Sequence, residues 1–258
     1  MPKRIRFGIK TDIGQARMNN QDAVFALATH SASAFNQPSF GVFVVADGMG
    51  GHEHGEIASA IAARVVADHI QRTLLIPMLA GSPVEDVLEI LETAVQKANE
   101  NIQGEVPDGG TTITFAVLVD NRAYLGQVGD SRAYIISGGK IEQITRSHTL
   151  VDRLIELGQL TKEEVNSPNV NVKNVLYRAL GQGEVLEVDT LTRQLKNDDY
   201  LLLCSDGLWN LVQDEDLQKI VVEASNPQEA CDTLVSLANE KGGHDNISVI
   251  VVKVGEDR

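Results

Sequence analysis

Gly41-Val42-Phe43-Val44-Val45-Ala46 runs without a polar side chain and then breaks into Asp47-Gly48. Tyr200-Leu201-Leu202-Leu203-Cys204-Ser205 repeats the pattern and breaks into Asp206-Gly207. Short apolar runs bounded by turn residues read as buried strands. Each delivers one carboxylate to a strand end. A third strand-like run, Ile247-Ser248-Val249-Ile250-Val251-Val252, follows Asp245, and a hairpin-like segment, Gly129-Asp130-Ser131-Arg132, holds Asp130. Hard oxygen ligands on rigid strand ends are what Mg²⁺ or Mn²⁺ requires. The competing reading of Asp47 and Asp206 is that each is an ordinary turn residue before glycine.

Working outward, strands are expected over 5–14, 22–29, 111–119, 122–128, 131–136, 141–144, 186–195, 199–205 and 246–254. Asp120-Asn121 and Ser137-Gly138-Gly139 read as tight hairpin turns. After the flexible Gly48-Met49-Gly50-Gly51 turn, Ile57, Ile61 and Val65, with Ala58, Ala62 and Val66, recur at helical spacing. A second helix is signalled by Ser82 as N-cap, Pro83 in the first turn and Glu85 closing a capping box, with Gly104 as its stop. Val84, Val87, Leu88, Leu91 and Val95 form its apolar stripe. Two further helices close the chain, the second opening at Asn226-Pro227. Residues 145–184 differ in character. They hold a helical piece (Leu150, Leu154, Leu157) and a second capping box at Thr161-Lys162-Glu163-Glu164, and they read as a small surface insertion. Helices are grouped rather than alternating with strands, which favours an α+β layered fold with antiparallel sheets.

The chain has 258 residues, a hydrophobic fraction of 43% and only 4% aromatics, so aliphatic residues must build a substantial core. A net charge of −14 argues against nucleic acid or an anionic membrane as partner. No apolar stretch reaches 18 residues, and the basic start Met1–Arg6 lacks the apolar core of a signal peptide. Two cysteines, Cys204 and Cys231, make no disulfide framework. A cytoplasmic, monomeric protein is expected.

Six segments then stand in a telling order: Arg17-Met18-Asn19-Asn20-Gln21-Asp22, Val45-Ala46-Asp47-Gly48-Met49-Gly50-Gly51, Gly110-Thr111-Thr112, Gly129-Asp130-Ser131-Arg132, Ser205-Asp206-Gly207-Leu208-Trp209 and Gly242-Gly243-His244-Asp245-Asn246. Together they resemble the ordered motif set of the PPM/PP2C serine/threonine phosphatases of the bacterial single-domain type. The resemblance spans nearly the whole chain. It implies one domain over 1–258, a four-layer α-β-β-α sandwich, and a flap subdomain at about 145–184. It implies two Mn²⁺ or Mg²⁺ ions between the sheets, with a weaker third. Asp47 would bridge the two ions, Gly48 would lend its carbonyl, and Asp206 and Asp245 would complete the first. Asp130 with Asp206 would hold the third, and Asp22 would be a supporting carboxylate. Arg17 matches the phosphate-binding arginine.

The implied chemistry is direct attack on phosphoserine or phosphothreonine by a metal-bridging hydroxide, without a phosphoenzyme. The implied partners are phosphorylated proteins and Ser/Thr kinases. His52 is either a proton donor to the leaving oxygen or a solvated loop residue. Gln21 departs from the Glu often found there in eukaryotic relatives, which removes a carboxylate beside the second metal. Two other functions stay open: a catalytically silent binding module, and a hydrolase of small phosphoesters.

Overall fold

In a computed structural model, the chain is described at residues 4–29, 38–49, 54–84, 86–161, 164, 175–183 and 186–255. Side chains alternate across a strand, and here both faces of the central strands meet an apolar layer. In β3 (Phe40–Asp47), Val42, Val44 and Ala46 face one core while Phe43 and Val45 face another. In β9 (Tyr200–Cys204) and β10 (Ile247–Gly255) the same split occurs. Leu202, Cys204, Val249 and Val251 point one way, and Leu201, Leu203, Ile250 and Val252 the other. A strand buried twice reads as an unbroken apolar run, which is why these segments showed no alternation.

Two antiparallel five-stranded sheets result. One has the order β1-β10-β9-β6-β7, with β1 Arg4–Asp12, β6 Arg132–Ser137 and β7 Lys140–Gln143. The other is β2-β3-β4-β5-β8, with β2 Asp22–Thr29, β4 Ile113–Val119, β5 Arg122–Val128 and β8 Asp189–Gln194. Between them lies a layer that includes Ile5, Phe43, Val45, Leu118, Leu203 and Ile250. The outer face of the β3 sheet is covered by α1 (Gly55–Ile70) and α3 (Val87–Glu105), through Ala58, Ala62, Val66, Leu91, Val95 and Ala98. The outer face of the β10 sheet is covered by α6 (Asp214–Glu223) and α7 (Pro227–Glu240), through Leu217, Val221, Ala230, Leu234 and Ala238. Three apolar layers separate four layers of secondary structure, as expected.

Shorter pieces complete the molecule. A π-helical stretch, Gln71–Leu75, carries α1 into α2 (Ile76–Leu79), α4 is Leu150–Glu156, and α5 is Asp206–Trp209. Among the described residues no helix is long and apolar enough to cross a membrane.

Four local expectations are corrected. The helix expected from Ser82 begins at Val87, capped by Asp86, whose carboxylate accepts from the Leu88 N–H at 2.8 Å. It runs through Gly104 to Glu105, because Ala98, Asn99 and Ile102 are still buried there. Ile57 does not join the buried stripe of α1 and is 43% exposed. Gly129-Asp130-Ser131 is not a hairpin: β5 and β6 belong to different sheets, so this segment crosses from one sheet to the other. Other local readings agree with the structure. Asn226 caps α7 by accepting from the Glu229 N–H at 3.0 Å, and Thr161 and Glu164 exchange capping-box bonds at 2.8 and 3.3 Å. Glu85 and, within the insertion at about 145–184, most of residues 162–174 lie outside the described residues.

Candidate metal centre

The antiparallel register of β2 and β3 sets Asp22 directly across from Asp47. Asp206 opens α5 where β9 ends, Asp245 precedes β10, and Asp130 sits in the crossover from β5 to β6. All five therefore gather at one end of the sandwich. Asp47, Asp130, Asp206 and Asp245 line a single cavity of ≈ 430 Å³ together with Arg17, Gly48, Thr112 and the Val175-Leu176 pair. Asp22 stands behind Asp47 rather than on the cavity wall. Its Oδ2 accepts from Ser205 Oγ at 2.8 Å, and its Oδ1 is buried without a partner.

Backbone contacts fix the turns that bear these groups. The Asp47 carbonyl accepts from Thr112 N–H at 2.8 Å and Thr111 Oγ1 at 2.9 Å. Gly48 must be glycine, because a Cβ there would lie 2.3 Å from the Gly55 carbonyl oxygen. Asn246 joins the far ends of the chain. Its Nδ2 donates to the carbonyls of Ile13 and Asn19 at 2.9 and 3.0 Å, and its Oδ1 accepts from Gln21 N–H at 2.8 Å. This clamp holds the loop that carries Arg17, whose Nη2 donates to Asp245 Oδ2 at 2.7 Å. Trp209 Nε1 donates to the Asp130 carbonyl at 3.1 Å, under the Arg132 guanidinium, whose carbon lies 3.5 Å from the ring centroid.

Crowded carboxyls resist ionisation. Burial first, and then the Asp130, Asp245 and Asp22 charges, push Asp206 up to about 8. Burial and the Asp22 and Asp206 charges raise Asp47 well above the usual carboxylate range. Burial raises Asp22 and Asp130 each to about 6. Arg17 is also raised, first by its bond to Asp245, and this favours its charged form. Such a cluster calls for a cation to neutralise it, and the orphaned Asp22 oxygen is a second sign of the same deficit. The donors are hard oxygens, as Mg²⁺ or Mn²⁺ prefers. Among the described residues no three His, Cys, Asp or Glu side chains are grouped so as to hold one ion.

The structure thus brings together Arg17, Asp47, Gly48, Asp130, Asp206 and Asp245, with Asp22 supporting Asp47. His52 lies outside the described residues. Sequence reading gave no role to Asn246, Ser205 or Trp209. Their signal was position alone, each within three residues of a candidate ligand. Cys204 and Cys231 are free and buried, and burial pushes both thiols up to about 12, which leaves neither as a nucleophile.

Comparison with known proteins shows the family and the fold. The protein phosphatase 2C family model matches residues 10–247. Serine/threonine phosphatase stp of Listeria monocytogenes is 34% identical over 253 residues, covering 95% of this chain and 94% of that one. The Mycobacterium tuberculosis serine/threonine phosphatase PstP/Ppp superposes with a TM-score of 0.80 at 31% identity, covering 98% of this chain and 99% of that one. A structure of the PstP catalytic domain holding 2 manganese ions superposes with a TM-score of 0.77 at 32% identity, covering 98% and 100%.

Proposed function

The chain belongs to the protein phosphatase 2C family, and from that premise we propose direct hydrolysis of protein phosphoserine and phosphothreonine at a centre of two Mn²⁺ or Mg²⁺ ions with a weaker third. The convergence of four aspartates and Arg17 on one cavity carries this reading. Asp47, the Gly48 carbonyl, Asp206 and Asp245 would hold the core pair, and Asp130 with Asp206 the third ion. When bound, such ions acidify water and offset charge on phosphoryl oxygens.

The protein's own groups supply the rest. Arg17 binds the phosphoryl group. Its planar fork carries five N–H donors, and Asp245 engages one of them and sets its direction. Ser205 orients Asp22, and Asp22 in turn supports Asp47. His52 is assigned the proton donated to the leaving serine or threonine oxygen. The chain is read as one phosphatase domain with its insertion at about 145–184. The products of Ser/Thr kinases are its substrates, and it acts as a monomer.

The test is phosphate release from a phosphothreonine peptide in EDTA, Mg²⁺ or Mn²⁺, alongside Asp206→Ala. Release that needs metal and falls by roughly 10²–10³ in the variant is expected, the size seen when one transition-state charge partner is removed. Near-normal release by folded Asp206→Ala would overturn the ligand assignment. A small aryl phosphate run in parallel separates a protein phosphatase from a hydrolase of small phosphoesters.

A further inference from the structure

His148 is 1% exposed and lies outside the cavity wall, yet it is joined to the turn that bears Asp130 by two bonds. Its ring Nδ1 accepts from the Gly129 N–H at 3.0 Å, and its own N–H donates to the Gly129 carbonyl at 2.9 Å. Gly129 has φ +111, and a Cβ there would lie 2.5 Å from Thr112 Cβ. The position therefore needs glycine, both for its backbone conformation and for the space beside Thr112.

The same histidine is fastened to the segment 175–180. The Tyr177 N–H donates to the His148 carbonyl at 3.0 Å, and Leu150 N–H to the Val175 carbonyl at 2.7 Å. The Tyr177 ring lies against the imidazole, with centroids 5.5 Å apart. Nε2 lies 3.4 Å from Asp189 Oδ2, and Arg178 Nη1 bonds the other oxygen of Asp189 at 3.1 Å. Val175 and Leu176 line the cavity.

We infer that His148 is a positioning residue that ties the cavity-lining strap 175–180 to the Gly129-Asp130 turn and so sets where the Asp130 carboxylate stands. The ring must keep Nδ1 as an acceptor, which places its proton on Nε2, 3.4 Å from Asp189 Oδ2 but outside hydrogen-bond geometry. Burial supports this by lowering the imidazole pKa. The inference rests on the reading of Asp130 as a metal ligand.

The experiment is Mn²⁺ calorimetry on the whole chain, which does not depend on turnover, together with kcat and KM on a phosphothreonine peptide. His148→Ala is expected to weaken the weakest Mn²⁺ event by about 10–100-fold, the range typical of groups that orient a ligand. It should lower kcat by at least about tenfold with KM changed by less than about threefold. His148→Asn, whose amide oxygen can stand in for Nδ1, should recover to within about threefold, whereas His148→Gln, which reaches toward Nε2, should not. In an Asp130→Ala background, His148→Ala should add nothing.

An unchanged Mn²⁺ isotherm in folded His148→Ala, additive effects with Asp130→Ala, or equal behaviour of the Asn and Gln variants would each overturn the inference. If His148→Ala does not fold, the Asn–Gln contrast decides. Failure of the phosphatase reading looks different: wild-type protein that releases no phosphate, while its Mn²⁺ isotherm still shows the coupling of His148 to Asp130.

Discussion

In the metal-free fold Asp206 and Asp47 take up protons more readily than they do in an unfolded chain. The folded pKa values of Asp206, at about 8, and of Asp22 and Asp130, at about 6, all lie above the ordinary 3.8. The native state then binds more protons than the unfolded state between these limits, so stability falls as pH rises through that window. Metal-free protein should melt at progressively lower temperature from pH 5 to pH 8. Mn²⁺ should raise the melting temperature more at pH 8 than at pH 5, because the ligands must be ionised to bind it. Thermal melts in EDTA and in Mn²⁺ at four pH values check this. A melting temperature that climbs with pH in EDTA would contradict the crowding described at the site. Asp47 and Asp206 were legible in the sequence because each ends an apolar run, whereas Asp22 was singled out only through the family resemblance and Asp130 through its Gly-Asp-Ser segment. Their mutual repulsion was not, since Asp22 and Asp206 are distant in the chain and come together only in the fold.

Caps show how far local pattern reaches at the scale of the element. Asn226-Pro227 is unambiguous: Asn accepts from Glu229 N–H and Pro occupies the first turn, where its missing N–H costs nothing. Asn226→Ala should cost about 1 kcal/mol, seen as a fall in melting temperature of about 2–4 °C by calorimetry. The start of α3 was misplaced along the chain, because Ser82 reads as the cap there while Asp86 caps the helix in the structure. Asp86→Ala should therefore destabilise by a similar amount, whereas Ser82→Ala should change little, and a stability loss confined to Ser82→Ala would refute the observed start. The difference arises because Ile90, Leu91, Ala94 and Val95 must all face the β3 sheet. That packing fixes the register of the helix, and the cap that fits the register wins.

The two sheets share one internal layer, and this layer makes the molecule cohere. Phe43 is fully buried in it and meets the Phe7 ring edge-on, with centroids 5.5 Å apart. Phe43→Ala should cost about 3–5 kcal/mol. In urea it should lower the midpoint of a single transition, because both sheets lose the same contact. Loss of one sheet ahead of the other would argue against a shared core. Strand existence, the grouping of helices and the inventory of hard ligands were all readable along the chain, since they depend on period and on neighbours a few residues away. Which strands share a sheet was decided only in three dimensions. Gly129-Asp130-Ser131 looks like a hairpin locally, yet the apolar faces of β5 and β6 belong to different sheets and force a crossover. Arg17 and Asp245 stand 228 residues apart and touch because Asn246 and the Gly243 carbonyl draw the two loops together. Local dihedral and burial preferences act over one turn or one pleat, whereas complementarity between distant faces sets pairing, and the site is built from pairing.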